Sequence, residues 1–267
     1  MTKQFTAMAI LMLQNQGKLS VQDPLCSYLK SCPEAWKPIT LRQLLTHTSG
    51  IPDFFSFSDF TQKSTKSMTP DQLADWFAGK PLDFRPGAKF SYSNSGYDLL
   101  GYVIEQVSGQ PYAAFLKQAI FDPLDMKDTG YDPEPKGLAT GYADYSRDYK
   151  GDSLDLSVAY AAAGLYSTVG DLYKWDQALY TEALLPQSQL AEMFKAQVDL
   201  DPGGYGYGWF VGTVMGHRAE LHSGGWYGFS SNITRFPDDK ITFIILSNNQ
   251  VAALDIIEGY IAARILK

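Results

Sequence analysis

Three short segments carry residue types that could transfer an acyl group. Lys3 opens an apolar stretch that runs from Gln4 to Leu13, Tyr92-Ser93-Asn94 lies near one third of the chain, and His222-Ser223-Gly224-Gly225 lies near its end. Acyl transfer by a serine enzyme needs a nucleophile, a base, a proton donor for the leaving group and donors for the oxyanion. A lysine serves as base only when burial or neighbouring donors lower its pKa. A tyrosine such as Tyr92 can shuttle a proton, and the Asn94 amide can orient a substrate carbonyl. A donor at position 222 can bind a carboxylate or orient the tyrosine, while Gly224 and Gly225 let a substrate backbone come close. Taken singly, each segment has a plainer explanation. A lysine near a chain start is usually a solvated charge, Tyr-x-Asn recurs by chance, and a histidine at a strand end often precedes a glycine turn. The wholly apolar helix behind Lys3 makes the solvated reading uncomfortable.

The remaining histidines add little. His47, in Thr46-His47-Thr48-Ser49-Gly50, reads as a structural hydrogen-bonding residue of a tight turn, and His217 as a surface residue. A Ser/His/Asp triad is conceivable, but the sequence has no Gly-x-Ser-x-Gly elbow.

The elements that must position these residues are mainly helical. Residues 2–16 form a first helix closed by Gly17, and a short helix is expected near residues 25–30. Thr40 caps a helix that stops at His47, and Thr69 with Pro70 opens another through Phe77. Apolar residues at helical spacing predict a helix over 95–107, and further helices follow over 112–120, 171–179, 188–196 and 252–266. Residues 130–163 read as loop. After residue 204 the period changes, and strands are expected over 205–214, 218–222, 230–236 and 241–247. A helical body followed by an antiparallel meander and a closing helix is an α+β architecture. Three or four strands form a small sheet for a chain of this size.

Bulk properties narrow the class. At 267 residues the chain can form one large domain or two packed lobes, here read as a helical lobe over 20–200 and a sheet lobe from 1–19 and 201–267. The net charge of -7 and the scattered Lys/Arg argue against nucleic-acid binding. No apolar run reaches eighteen residues, so no membrane span is expected. The stretch at 5–13 is followed by Gln14-Asn15-Gln16-Gly17-Lys18 rather than a small-x-small cleavage site, which favours a core helix over a signal peptide. Cys26 and Cys32 can be a small-loop disulfide or two free thiols. Neither a metal nor a cofactor is expected.

Read together, these segments resemble the class C β-lactamase-like family of serine hydrolases, which includes D,D-carboxypeptidases, D-aminopeptidases and lactamase-like esterases. The matching text comprises Thr2-Lys3-Gln4-Phe5-Thr6-Ala7, Leu44-Leu45-Thr46-His47-Thr48-Ser49-Gly50-Ile51-Pro52, Phe90-Ser91-Tyr92-Ser93-Asn94-Ser95-Gly96-Tyr97, Gly164-Leu165-Tyr166-Ser167-Thr168 and His222-Ser223-Gly224-Gly225-Trp226, in that order. The resemblance implies a β-lactamase/transpeptidase-like fold, with Lys3 and Tyr92 as the acid/base pair and Asn94 as a binder of the substrate amide. It implies His222, Ser223 and Gly224 as the third motif and the Gly225 N–H as half of an oxyanion hole. A histidine where true class C lactamases carry the lysine of Lys-Thr-Gly looks more like the peptidase and esterase branches.

The family's first motif is Ser-x-x-Lys. With Lys3 as its lysine, the serine falls one residue before Met1, and the strands the family pairs with its final meander fall further upstream. The expectation is therefore a β-lactamase-related esterase or D-amino-acid peptidase that is inactive or nearly so over these residues alone. The alternative is a non-catalytic protein that uses the same cleft to bind a peptide or peptidoglycan-like ligand. The ligand expected is a small ester, amide or β-lactam-like molecule, and residues 241–246 are expected to form an apolar edge that supports self-association. The compartment stays open: cytoplasmic as encoded, extracytoplasmic should a signal peptide lie upstream.

Overall fold

A helix that is apolar on every face must be buried on every face, and α1 (Lys3–Asn15) is: from Lys3 to Leu11 each residue is shielded from solvent. The computed structural model describes residues 1–132, 136–145 and 154–266. After α1 come α2 (Leu41–Leu45), α3 (Phe60–Lys63), α4 (Pro70–Ala78) and α5 (Asn94–Ser108). They are followed by α6 (Tyr112–Leu116), α7 (Leu156–Ala163), α8 (Val169–Ala178), α9 (Gln187–Met193) and, at the end, α10 (Leu254–Ile265). Local signals set the ends of several. Thr40 and Gln43 form a reciprocal capping box on α2, and Thr69 and Gln72 form one on α4 with Pro70 at its first position. Ser93, not Asn94, caps α5, its hydroxyl accepting from the Gly96 N–H.

Between α9 and α10 lies one antiparallel sheet in simple sequential order: β1 (Val198–Asp199), β2 (Gly204–Tyr205), β3 (Phe210–Val214), β4 (His217–Trp226), β5 (Phe229–Phe236) and β6 (Ile241–Ser247). Helices α1, α5 and α7 pack on one another in the main core, and α7 also meets β4. The arrangement is the expected α+β one, helices with a six-stranded antiparallel sheet.

Several expectations need correction. The helix expected at 25–30 is a single 3-10 turn, Leu25–Ser27, because Pro24 and the following Cys26–Cys32 disulfide confine it. Of the expected loop at 130–163, residues 133–135 and 146–153 lie outside the described residues, and 156–163 is α7. Helix α7 carries a break at Tyr160 (φ 24°, ψ −121°), and its run of alanines has no polar face, so no helical stripe marks it in the sequence. The helix from Tyr112 ends as α-helix at Leu116 and continues as a π-helical turn to Phe121. The sheet has six strands rather than three or four. The two extra ones are two residues each, too short for a periodic signal. The third motif does not end its strand: β4 runs through it to Trp226, held by the ladder Ser223↔Asn232, Gly224↔Ser231 and Gly225↔Ser230. His217, expected on the surface, is partly covered and paired with Asp239 at 2.8 Å.

Candidate active site

Lys3 occupies the first turn of α1, where the helix dipole presents its positive end, and it is only 3% exposed. Its Nζ donates to Asn94 Oδ1 at 2.6 Å and to the Ala162 carbonyl at 3.1 Å. It also lies over the face of the Tyr92 ring, 4.6 Å from the centroid. Three elements thus meet on one amine: α1 supplies it, the start of α5 brings Asn94, and the end of α7 brings Ala162. Burial lowers the Lys3 pKa from its ordinary 10.5 to about 8, against the opposing pull of the Asp98 and Asp53 carboxylates. At that value a useful fraction of the amine is neutral near physiological pH, as a general base requires.

Each partner of Lys3 is itself anchored on an acid. Asn94 Nδ2 donates to Asp53 Oδ2 at 2.9 Å. The Ala162 N–H donates to Asp98 Oδ1 at 2.9 Å, and Asp98 is 2% exposed. Burial raises the pKa of both carboxyls, that of Asp98 strongly.

A second cluster abuts the first. His222 Nδ1 lies 2.6 Å from the Ser223 carbonyl, which can only accept, so Nδ1 carries the proton and Nε2 is left as an acceptor. Nε2 faces the Tyr205 hydroxyl at 3.3 Å and the Tyr92 hydroxyl at 3.5 Å. On the other side of Tyr205, His47 accepts at Nδ1 from the Ser93 N–H at 3.1 Å. His47 Nε2 therefore carries the proton and donates to Tyr205 at 3.1 Å. The hydrogen bonds point one way, from His47 through Tyr205 to His222. Burial holds both histidines well below their ordinary pKa, so both are neutral, and it pushes the Tyr92 hydroxyl up. The His47 ring lies 4.2 Å from that of Tyr92, and its backbone is left-handed, with φ 56°.

Lys3, Tyr92, Asn94 and His222 line a cleft of about 1030 Å³ whose walls also include Phe55, Trp226, Tyr227 and Phe229. Phe55 and Trp226 face each other edge to face at 5.9 Å. Of the residues singled out in sequence, Lys3, Tyr92, Asn94 and His222 come together, and Ser223, Gly224 and Gly225 border the same cleft. The glycines differ. A Cβ on Gly224 would lie 2.4 Å from Ser231 Oγ and 2.9 Å from the Met1 nitrogen, whereas one on Gly225 would meet nothing within 4 Å. The Met1 nitrogen sits 3.4 Å from the Ser223 carbonyl, so the chain enters the cleft directly beside the third motif. Sequence reasoning passed over Asp53, Asp98 and Tyr205. Asp53 directly follows the segment Leu44–Pro52. Asp98 and Tyr205 carry no local signal.

A buried lysine, a tyrosine and a histidine thus meet around one cleft of an α+β fold. The family model described as Beta-lactamase matches residues 1–265, and the chain belongs to that family. It is 30% identical to Penicillin-binding protein 4* of Bacillus subtilis over 94% of this chain and 60% of that one. Its fold matches a D-stereospecific amidohydrolase from Streptomyces sp. with a TM-score of 0.86 and 30% identity, covering 99% of this chain and 84% of the other. A D-amino acid amidase from Ochrobactrum anthropi, complexed with D-phenylalanine, matches with a TM-score of 0.81 and 29% identity, over 93% and 75% of the two chains. The chain spans roughly half to three-fifths of the length of the curated relatives it matches.

Proposed function

We propose that this cleft is the acyl-transfer site of an esterase or D-amino-acid amidase and that its nucleophile is the serine the family pattern puts one residue before Met1. The observation that carries the reading is Lys3, a buried amine held between Asn94 and Ala162 beside the point where Met1 enters the cleft. Lys3 takes the proton of the serine hydroxyl as its oxygen attacks the substrate carbonyl. The negative charge that develops on the carbonyl oxygen is met by backbone N–H groups, that of Gly225 and that of the serine itself. Tyr92, backed by neutral His222, passes a proton to the departing alkoxide or amine, and water then attacks the acyl-serine with Lys3 or Tyr92 as base. Ser223 and Gly224 form the strand against which the substrate lies. The aromatic walls suit an ester or amide with an apolar side chain.

Over residues 1–267 alone the reading predicts reversible binding with little or no turnover. Removing the serine nucleophile from a protease of this general chemistry costs on the order of a million-fold in kcat. Intact-mass analysis of the 267-residue protein after exposure to a fluorophosphonate should show no adduct. A stoichiometric adduct there would contradict the assignment.

A further inference from the structure

Asn94 is usually thought of, in a site of this kind, as a group that reaches toward substrate, yet here both ends of its amide are occupied within the protein. Its oxygen accepts from Lys3 at 2.6 Å, and its nitrogen donates to Asp53 at 2.9 Å. An amide can rotate by half a turn and exchange the two ends at small steric cost. The flipped form would set the NH₂ group against the Lys3 ammonium, donor against donor. It would also set the oxygen against the Asp53 carboxylate, acceptor against acceptor. The carboxylate on one side and the ammonium on the other therefore select a single orientation.

Asp53 is in turn fixed by its place in the chain. It caps the 3-10 turn Phe54–Ser56, with Oδ1 accepting from the Phe55 N–H at 3.2 Å, which leaves Oδ2 for Asn94. That turn is tied to α5 through Ser95, whose hydroxyl accepts from the Phe54 N–H at 3.0 Å and donates to the Pro52 carbonyl at 2.8 Å. The carboxylate and the amide it orients are thus held on one rigid unit.

We propose that Asp53 is a positioning residue of this site: it locks the Asn94 amide in the orientation that presents Oδ1 to Lys3, and so sets the proton affinity of the lysine. The proposal rests on reading Lys3 as the site's base, but its test involves no acyl transfer, so the two can fail separately.

The groups that face Lys3 are Asp53 and Asp98, the Met1 amine, the rings of Tyr92 and Tyr97, and the neutral His47 and His222. Asp53 therefore acts on Lys3 in two ways, through space as a charge and through Asn94 as a bond. A double-mutant cycle separates them. The test is an NMR titration of the Lys3 side chain in protein labelled at lysine Cε and Nζ, comparing Asp53→Asn in the native background with Asp53→Asn in an Asn94→Ala background. The expected result is a fall in the Lys3 midpoint of about one pH unit in the first comparison and less than a third of that in the second. An equal fall in both would reduce Asp53 to a distant charge and overturn the proposal, as would no fall in either. A measurement on the unmutated protein guards against variants that do not fold. The Asn94 NH₂ protons should exchange slowly with solvent, and rapid exchange would equally overturn it.

Discussion

Lys3 shows how strongly context governs a single residue. In water its amine would be charged up to a pH near 10.5, but in this fold burial brings it to about 8. The consequence for stability has a definite sign. Between about 8 and 10.5 the unfolded chain binds a proton at this lysine and the folded chain does not, so stability rises with pH across that interval. Above about 10 the trend reverses, because buried tyrosines such as Tyr92, raised by burial, stay protonated while unfolded tyrosines ionise. Chemical denaturation between pH 7.5 and 9.5 should therefore show the natural protein gaining on a Lys3→Met variant, by about 1–2 kcal/mol. A flat difference across that range would mean that Lys3 keeps its ordinary pKa. Residue by residue, the sequence was informative where a chemical type stood beside an incompatible background. A lysine heading an apolar helix was legible. Asp98, one of two acids on α5, was not, since only the arrival of α7 makes it part of the site.

At the scale of elements, the site depends on how closely α5 and α7 approach. Gly101 lies at their contact, and a Cβ there would fall 2.4 Å from Ala161 Cβ and 2.6 Å from a Tyr160 ring carbon. Ala162, which holds Lys3, is the next residue along. An alanine inside a helix is normally favoured over glycine by roughly 0.5–1 kcal/mol, whereas overpacking a tight core contact costs roughly 1–3 kcal/mol. The second effect wins here. Gly101→Ala should lower stability by about 1–2 kcal/mol in urea unfolding, and an unchanged or raised midpoint would show that the interface has slack. Helices with caps or an apolar stripe, α2, α4 and α5, were readable to within a residue or two. Helix α7 was not, because its sequence lacks a polar face and its geometry is imposed by packing. The strands β1 and β2 were missed for a related reason: two residues carry no period, and only the neighbouring β3 makes them a sheet.

At the scale of the whole molecule, a buried ionic network fastens the sheet to the helices. Arg235 on β5 pairs with Asp176 of α8 and Glu220 of β4, each at 2.6 Å, and all three side chains are almost fully enclosed. Nothing in the sequence links these three positions, which are brought together by topology alone. The opposite side of the sheet is less finished. β6 is its outermost strand among the described residues, and α10 exposes Ile256, Ile257, Tyr260, Ile261 and Ile265. Open strand edges and contiguous apolar faces favour association. Light scattering on the 267-residue protein should accordingly show self-association that grows with concentration, and a clean monomer at high concentration would count against this. The central claim concerns the other end of the molecule, where Met1 enters the cleft beside Lys3 and β4. It is tested most directly by extending the chain with one serine immediately before Met1 and measuring fluorophosphonate labelling by intact mass and peptide mapping. The account predicts a stoichiometric adduct on that serine, abolished by Lys3→Ala and absent from the 267-residue protein. No adduct on the folded, extended chain, or an adduct that survives Lys3→Ala undiminished, would contradict it.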